Sequence, residues 1–153
     1  MLIALPAMTM AAPAARPPRG ADCAAVRRVV ETENRMYATY DASVARQVYA
    51  PDIRWQNPFG VRLIGEPAVE RFLIRLFSRP GFRSAKEVRA PVITDVRLLS
   101  PTTASAWSEE ASEGQTRADG SPVGVRKSHI LYVLGRSNGR WFITDELIMD
   151  ERE

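Results

Sequence analysis

Four polar side chains stand on stretches that otherwise read as apolar strand faces: Asn57, Glu109, His129 and Asp145. His129 is the only histidine in the chain and titrates near neutrality by default, which makes it a candidate general base. The competing reading is an interior histidine whose hydrogen bonds are already satisfied. Asp145 lies between Ile143 and Leu147, and a carboxylate buried there must be paired or protonated. Glu109 follows Trp107 on the same strand parity. If their strands are neighbours, Glu109, His129 and Asp145 converge, and a carboxylate–histidine pair polarises a bound carbonyl or water. If they lie on the open face, they form salt bridges with Arg126, Lys127 or Arg140 instead. Asn57 cannot abstract a proton; it either orients a ligand by hydrogen bonds or caps the turn at Pro58.

Aromatic residues surround these positions in the sequence. Tyr37, Tyr40, Trp55, Phe59, Phe72, Phe77 and Trp107 either line a pocket or build the core. The binding set expected from the sequence is therefore Tyr37, Trp55, Asn57, Phe59, Trp107 and Glu109, with His129 and Asp145 as the catalytic pair. There is no phosphate-cradling glycine loop, nucleophile elbow or zinc-ligand spacing, so neither cofactor nor metal is expected.

The elements that would position these residues follow from periodicity. Val26, Val29, Val30, Glu33, Met36, Tyr37 and Tyr40 recur at helical spacing, which predicts a helix over 22–40 with Asp22 as its N-cap. Asp41 starts a second short helix, ended by Pro51. Residues 53–57 alternate as a strand, with Ile53, Trp55 and Asn57 on one face, and Pro58 and Gly60 stop it. Gly65-Glu66-Pro67 opens a third helix, carried by Phe72, Leu73, Leu76 and Phe77 and closed by Pro80-Gly81. The remainder reads as strands over 88–99, 103–113, 125–134 and 140–150. Pro91 marks a break or an edge, and Ser137-Asn138-Gly139 a tight turn. On the 125–134 strand, Lys127, His129, Leu131 and Val133 share one face, and Ser128, Ile130, Tyr132 and Leu134 the other. On the last strand, Trp141, Ile143, Asp145, Leu147 and Met149 share a face. Helices followed by a strand meander make an α+β pattern.

The run Tyr49-Ala50-Pro51-Asp52-Ile53-Arg54-Trp55-Gln56-Asn57-Pro58-Phe59-Gly60, then Gly65 with Ala68, then the strand Gly139-Arg140-Trp141-Phe142-Ile143, resembles the NTF2-like superfamily. Within it the pattern is similar to the SnoaL-like, DUF4440 and SgcJ/EcaC type of domain, with ketosteroid isomerase more distant. The resemblance implies three N-terminal helices packed on a curved antiparallel sheet that encloses a cone-shaped cavity. It implies a homodimer and a small hydrophobic, carbonyl-containing ligand. The activity would be that of an isomerase, cyclase or hydratase; the alternative is a non-catalytic binding or dimerising module. In ketosteroid isomerases the place of Asn57 holds the proton-moving aspartate, and the amide here argues against that reaction.

A length of 153 residues accommodates one domain, taken as 22–153. Residues 1–21 read as the tail of a signal peptide or as a disordered alanine/proline tail with a linker. Export to the periplasm or exterior is expected in the first case and a cytoplasmic location in the second. The apolar run is too short and proline-broken to insert stably in a membrane. The formal charge is +3, but arginines are interleaved with acids rather than clustered, so no nucleic-acid partner is expected. The single cysteine, Cys23, excludes an internal disulfide.

Overall fold

The computed structural model describes residues 19–151. Helix α1 (Arg19–Thr39) begins earlier than expected and takes Asp22 into its first turn. Asp22 is therefore not an N-cap. It is buried, with Oδ1 lying 3.2 Å from Arg136 Nη1 and accepting from Trp141 Nε1 at 3.4 Å, and so pins α1 to the far end of the sheet. Most of the leader-like segment proposed from sequence lies outside the described residues. Tyr40 adopts φ 56° as α1 ends, and its ring packs edge-on against Phe77 and Phe82. A 3₁₀ turn (Ala42–Val44), capped by Asp41 Oδ1 accepting from Ser43 N, leads into the four-residue helix α2 (Ala45–Val48).

Strand β1 (Tyr49–Gln56) starts where the sequence suggested helix, and Pro51 lies inside it. It turns through Asn57–Gly60 into the short edge strand β2 (Arg62–Ile64). Helix α3 (Glu66–Phe77) follows, with Pro67 in its first turn, where a missing N–H costs nothing. Val69, Leu73 and Phe77 form its buried stripe. The one-turn helix α4 (Pro80–Arg83) leads to β3 (Lys86–Leu98), β4 (Thr103–Glu113), β5 (Arg126–Ser137) and β6 (Arg140–Asp150). Four α-helices are present among the described residues, and the third begins only after two strands. The expected run of three N-terminal helices is thus interrupted.

The six strands make one curved sheet in the order β2-β1-β6-β5-β4-β3. All pairings are antiparallel except β1 with β6, which is parallel, a departure from the purely antiparallel sheet expected. Parallel neighbours need a long connection, and β2, α3, α4 and β3 to β5 all lie between β1 and β6 in the chain. β3 is an edge strand with register shifts on both sides of Pro91, so the proline's missing donor is tolerated.

The register contains one shift that matters for everything below. Leu134 faces Ile143, but Val133 faces Asp145, so Thr144 is an extra residue on β6. This β-bulge exchanges the two faces of the strand. Trp141 and Ile143 point to the core before it, and Glu146 after it. Core residues Val26, Val30 and Met36 of α1 and Val69, Leu73 and Phe77 of α3 cover the inner face of the sheet, against Ala104, Ala106, Leu134 and Ile143. Among the described residues, no helix is long and apolar enough to cross a membrane.

Candidate functional site

Between α1 and the inner face of the sheet, a cavity of about 370 Å³ remains unfilled. Its wall is built from successive cross-strand rows. The rows run Glu146–Tyr132–Ala106, Ile148–Ile130–Ser108 and Asp150–Ser128–Glu110, and of these Glu146, Tyr132, Ile148, Ile130 and Glu110 line the cavity. α1 contributes Glu33 and Tyr37 from the opposite side, one turn apart on the same helix face. β1 contributes Trp55, and the turn after it Asn57 and Phe59.

Two glutamates lie at the closed end, each 2% exposed. Glu146 Oε2 accepts from Tyr49 Oη at 2.8 Å and Oε1 from Trp55 Nε1 at 2.9 Å. Glu33 Oε2 accepts from Tyr132 Oη at 3.1 Å, and Tyr132 Oη in turn receives Ser108 Oγ at 3.4 Å. Among the described residues, no Lys, Arg or His nitrogen lies within ion-pair distance of either carboxyl. Burial without a cation disfavours the charged form. Burial accordingly pushes the Glu146 carboxyl up to about 7, against the two hydrogen bonds that hold it down. Burial and then the Glu146 charge raise Glu33 well above the ordinary carboxylate range. Burial and the same carboxylates also raise Tyr37, Tyr49 and Tyr132, which therefore remain protonated donors.

Tyr37 differs from the other two tyrosines. Its hydroxyl is shielded from solvent and has no hydrogen-bond partner among the described residues. Its neighbour Tyr49 donates to Glu146 instead. A buried hydroxyl without a partner costs roughly 1–3 kcal/mol. This one borders the cavity, where a bound molecule can supply what the protein does not.

The residues expected from sequence divide between the two faces. Tyr37 and Trp55 reach the cavity. Asn57 lines it too, but its Oδ1 is taken by the backbone N–H groups of Phe59 and Val61, both at 3.0 Å, so it caps the turn and keeps only its NH₂ to offer. Phe59 sits at the mouth, 61% exposed, with the Arg126 guanidinium 5.2 Å from its ring centre. Glu109, His129, Trp107 and Asp145 occupy the outer face. Glu109 and His129 do meet, with Nδ1 to Oε1 at 3.6 Å, and His129 Nε2 lies 3.0 Å from Glu151 Oε1. Asp145 does not join them; it lies 3.9 Å from Arg54 Nη1. The expected convergence of Glu109, His129 and Asp145 is thus only a half-exposed pair, on the side of the sheet away from the cavity.

Sequence reasoning missed Glu146, Tyr49, Ser108 and Glu110, and treated Glu33 and Tyr132 only as members of apolar rows. A glutamate at a core position of a helix is itself a signal, since burying an unpaired carboxylate is expensive. Glu146 was hidden by the bulge at Thr144, which strict alternation across β6 cannot foresee. Among the described residues, no group of three or more His, Cys, Asp or Glu is arranged to hold a metal ion.

No protein-family model matches the sequence, and no curated protein does. Solved structures do match. An uncharacterized protein with a cystatin-like fold from Caulobacter vibrioides is 16% identical with a TM-score of 0.77, over 88% of this chain and 92% of that one. A ketosteroid isomerase-like protein from Erwinia carotovora atroseptica is 18% identical with a TM-score of 0.69, over 86% and 98%. A type 2 hexachlorocyclohexane dehydrochlorinase is 11% identical with a TM-score of 0.72, over 88% of each. At such identities the likeness speaks for the backbone alone, and that backbone, a curved mixed sheet folded round a helix-covered cavity, is the NTF2-like fold.

Proposed function

We propose that the cavity is a cofactor-independent acid–base site for a small, largely apolar molecule carrying a carbonyl group. The observation that carries this reading is Glu146. It is a fully enclosed carboxyl, oriented by Tyr49 and Trp55, whose affinity for a proton is balanced near neutral pH. A group with that balance both takes and returns a proton at useful rates. Glu33, held protonated by burial and by the charge of Glu146, serves as a hydrogen-bond donor. The unpartnered hydroxyl of Tyr37 is a second donor.

The chemistry then runs as follows. The substrate carbonyl oxygen accepts from Tyr37 Oη and the Glu33 carboxyl. Ionised Glu146 removes a proton from the carbon next to that carbonyl, and the charge that develops on oxygen is stabilised by the two donors. Returning the proton to another carbon completes an isomerisation. Losing a leaving group from the next carbon completes an elimination; when hydroxide leaves as water with the proton that Glu146 took up, the reverse is a hydration. Two of the structural neighbours, one ketosteroid isomerase-like and one a dehydrochlorinase, are named for reactions in this range. The aromatic and aliphatic walls, Trp55, Leu76, Phe82, Ile130 and Ile148, exclude water and give each hydrogen bond more weight.

The test is exchange of substrate C–H protons in deuterated water, followed by NMR over a panel of small cyclic and aryl ketones. The wild-type chain is expected to accelerate exchange for at least one ketone. Glu146→Gln is expected to lower that rate at least about 100-fold, and His129→Ala to change it less than twofold. An unchanged rate in Glu146→Gln, or no exchange across the panel, overturns the reading.

A further inference from the structure

One ionisable group of the cavity has no part in that chemistry. Glu110 lies on the inner face two rows from Glu146, on the side of the cavity that opens at Phe59, Glu87 and Arg89. It is half-buried and forms no ion pair among the described residues. The cation nearest to serving it is Arg126, but that guanidinium is turned to other partners with three of its five N–H donors. Its Nε and Nη2 donate to Asp150 Oδ2 and Oδ1, both at 2.9 Å, and its Nη1 donates to Gln115 Oε1 at 3.0 Å. Ser128 Oγ fixes the same aspartate at 2.9 Å. Arg89, at the rim, is turned to Glu109 on the outer face, 3.6 Å away.

The cavity is therefore lined by Glu33, Glu110 and Glu146, with Glu87 exposed at its rim, and the half-buried Arg126 is neutralised by Asp150. Among the described residues lining the cavity, Lys86 is exposed at the rim, Arg89 and Arg126 are paired, and no cation is within ion-pair distance of Glu33, Glu110 or Glu146. An anion would meet like charge in a space of low polarity, which opposes its binding. A cation would meet a carboxylate that has already lost part of its hydration. Burial lifts the Glu110 carboxyl above its ordinary range while Arg126 pulls it down, as expected of a charge waiting for a closer partner. Tyr37 Oη, the unpartnered donor farther in, gives an independent sign that this wall is completed by a ligand.

We propose that the molecule bound in this cavity carries a protonated amine, recognised by Glu110 near the mouth, while its carbonyl end reaches Tyr37 and Glu146. This deepens the acid–base reading and rests on it for the position of the carbonyl. The amine requirement stands on Glu110 and is tested by binding alone.

Isothermal titration of the full chain at pH 7 compares three probes of one shape: 2-phenylethylamine, 2-phenylethanol and 3-phenylpropionate. The amine is expected to bind at least tenfold more tightly than the alcohol, and the carboxylate more weakly than either. In Glu110→Gln the advantage of the amine over the alcohol is expected to vanish while alcohol binding holds. Equal affinity for amine and alcohol, absence of binding by both, or an advantage that survives in Glu110→Gln overturns the proposal. Should that variant fail to fold, the comparison of the three probes on the wild-type chain decides. An amine preference without any C–H exchange removes the acid–base reading alone. Exchange of neutral ketones without an amine preference removes this inference alone.

Discussion

The two faces of the sheet carry the same residue types and treat them oppositely. On the outer face, Glu109, His129, Glu151, Lys127 and Arg89 form a chain of contacts at 3.0–3.6 Å, every member partly in water. Asp145 and Arg54 lie apart from them, the arginine side chain 77% exposed. On the inner face, Glu33 and Glu146 have neither cation nor solvent, only neutral donors from three aromatic side chains. Charges on the outer face are free to ionise and gain little from it. Charges on the inner face ionise at a cost, and that cost tunes them. His129 and Glu151 on the outer face show the first case: the histidine and then Lys127 hold the Glu151 carboxyl below its ordinary range. Glu146, lifted to about 7, shows the second. A site is made by withholding partners from a carboxylate as much as by supplying them.

The largest contrast should appear between the two tryptophans. Trp55 is 2% exposed, packs at 5.2 Å against Phe72 and donates to Glu146; Trp107, on the outer face, is 38% exposed. Trp55→Ala is expected to lower stability by about 4 kcal/mol, through the cavity it leaves and the hydrogen bond it removes. Trp107→Ala should lower it by about 1 kcal/mol. Urea denaturation of both variants measures the difference. Similar losses would mean that the outer face is as enclosed as the inner one.

The second contrast is in pH dependence. Burial raises the folded-state pKa of Glu146 from 4.5 to about 7, and also raises Glu33 well above its ordinary range. A carboxyl raised on folding binds its proton more tightly in the native state. Stability from this source is full below about pH 4.5 and declines as pH rises through about 7, by on the order of 3 kcal/mol for Glu146. Thermal unfolding between pH 5 and pH 8 should show the decline in wild type, and Glu146→Gln should flatten it. A slope that persists unchanged in that variant would assign the effect to Glu33 or elsewhere.

The elements that build the inner face were largely legible in the sequence. The strands at 103–113 and 140–150 carry the bounds that alternation gives them, and the spacing from Val26 to Tyr40 placed α1 with Glu33 and Tyr37 on its inner stripe. Trp55 was legible because it shares parity with Ile53 on a strand stopped by Pro58 and Gly60. The inner face carries Glu146 rather than Asp145 for a definite reason. Alternation predicts one face for 141, 143 and 145, and Thr144, inserted opposite Val133 and Leu134, breaks the count. His129 was misplaced by residue type. Its neighbours Ser128 and Ile130 are buried, so the alternating pattern itself assigns it outward, and chemistry suggestive of catalysis drew it in. Pairing partners, the β1–β6 parallel contact above all, depend on contacts between distant residues that no local pattern records.

The smallest expected effect is also the sharpest check on the comparison. Asp145→Asn removes one charge of a loose pair at 3.9 Å in which the aspartate side chain is 43% exposed. Such pairs contribute about 0.5 kcal/mol or less, and salt screens what remains. Stability should therefore shift by no more than that at either pH 5 or pH 8. Glu146→Gln, the same change one residue later, should be close to neutral at pH 5. At pH 8 it should be stabilising, because it replaces a carboxylate that the inner face charges heavily for. Two neighbouring acid-to-amide changes then differ in their pH dependence alone, and the side of the sheet is the variable that separates them. If Asp145→Asn also altered the pH slope, the Thr144 bulge would not be exchanging the faces in solution, and Asp145 would be the group facing inward.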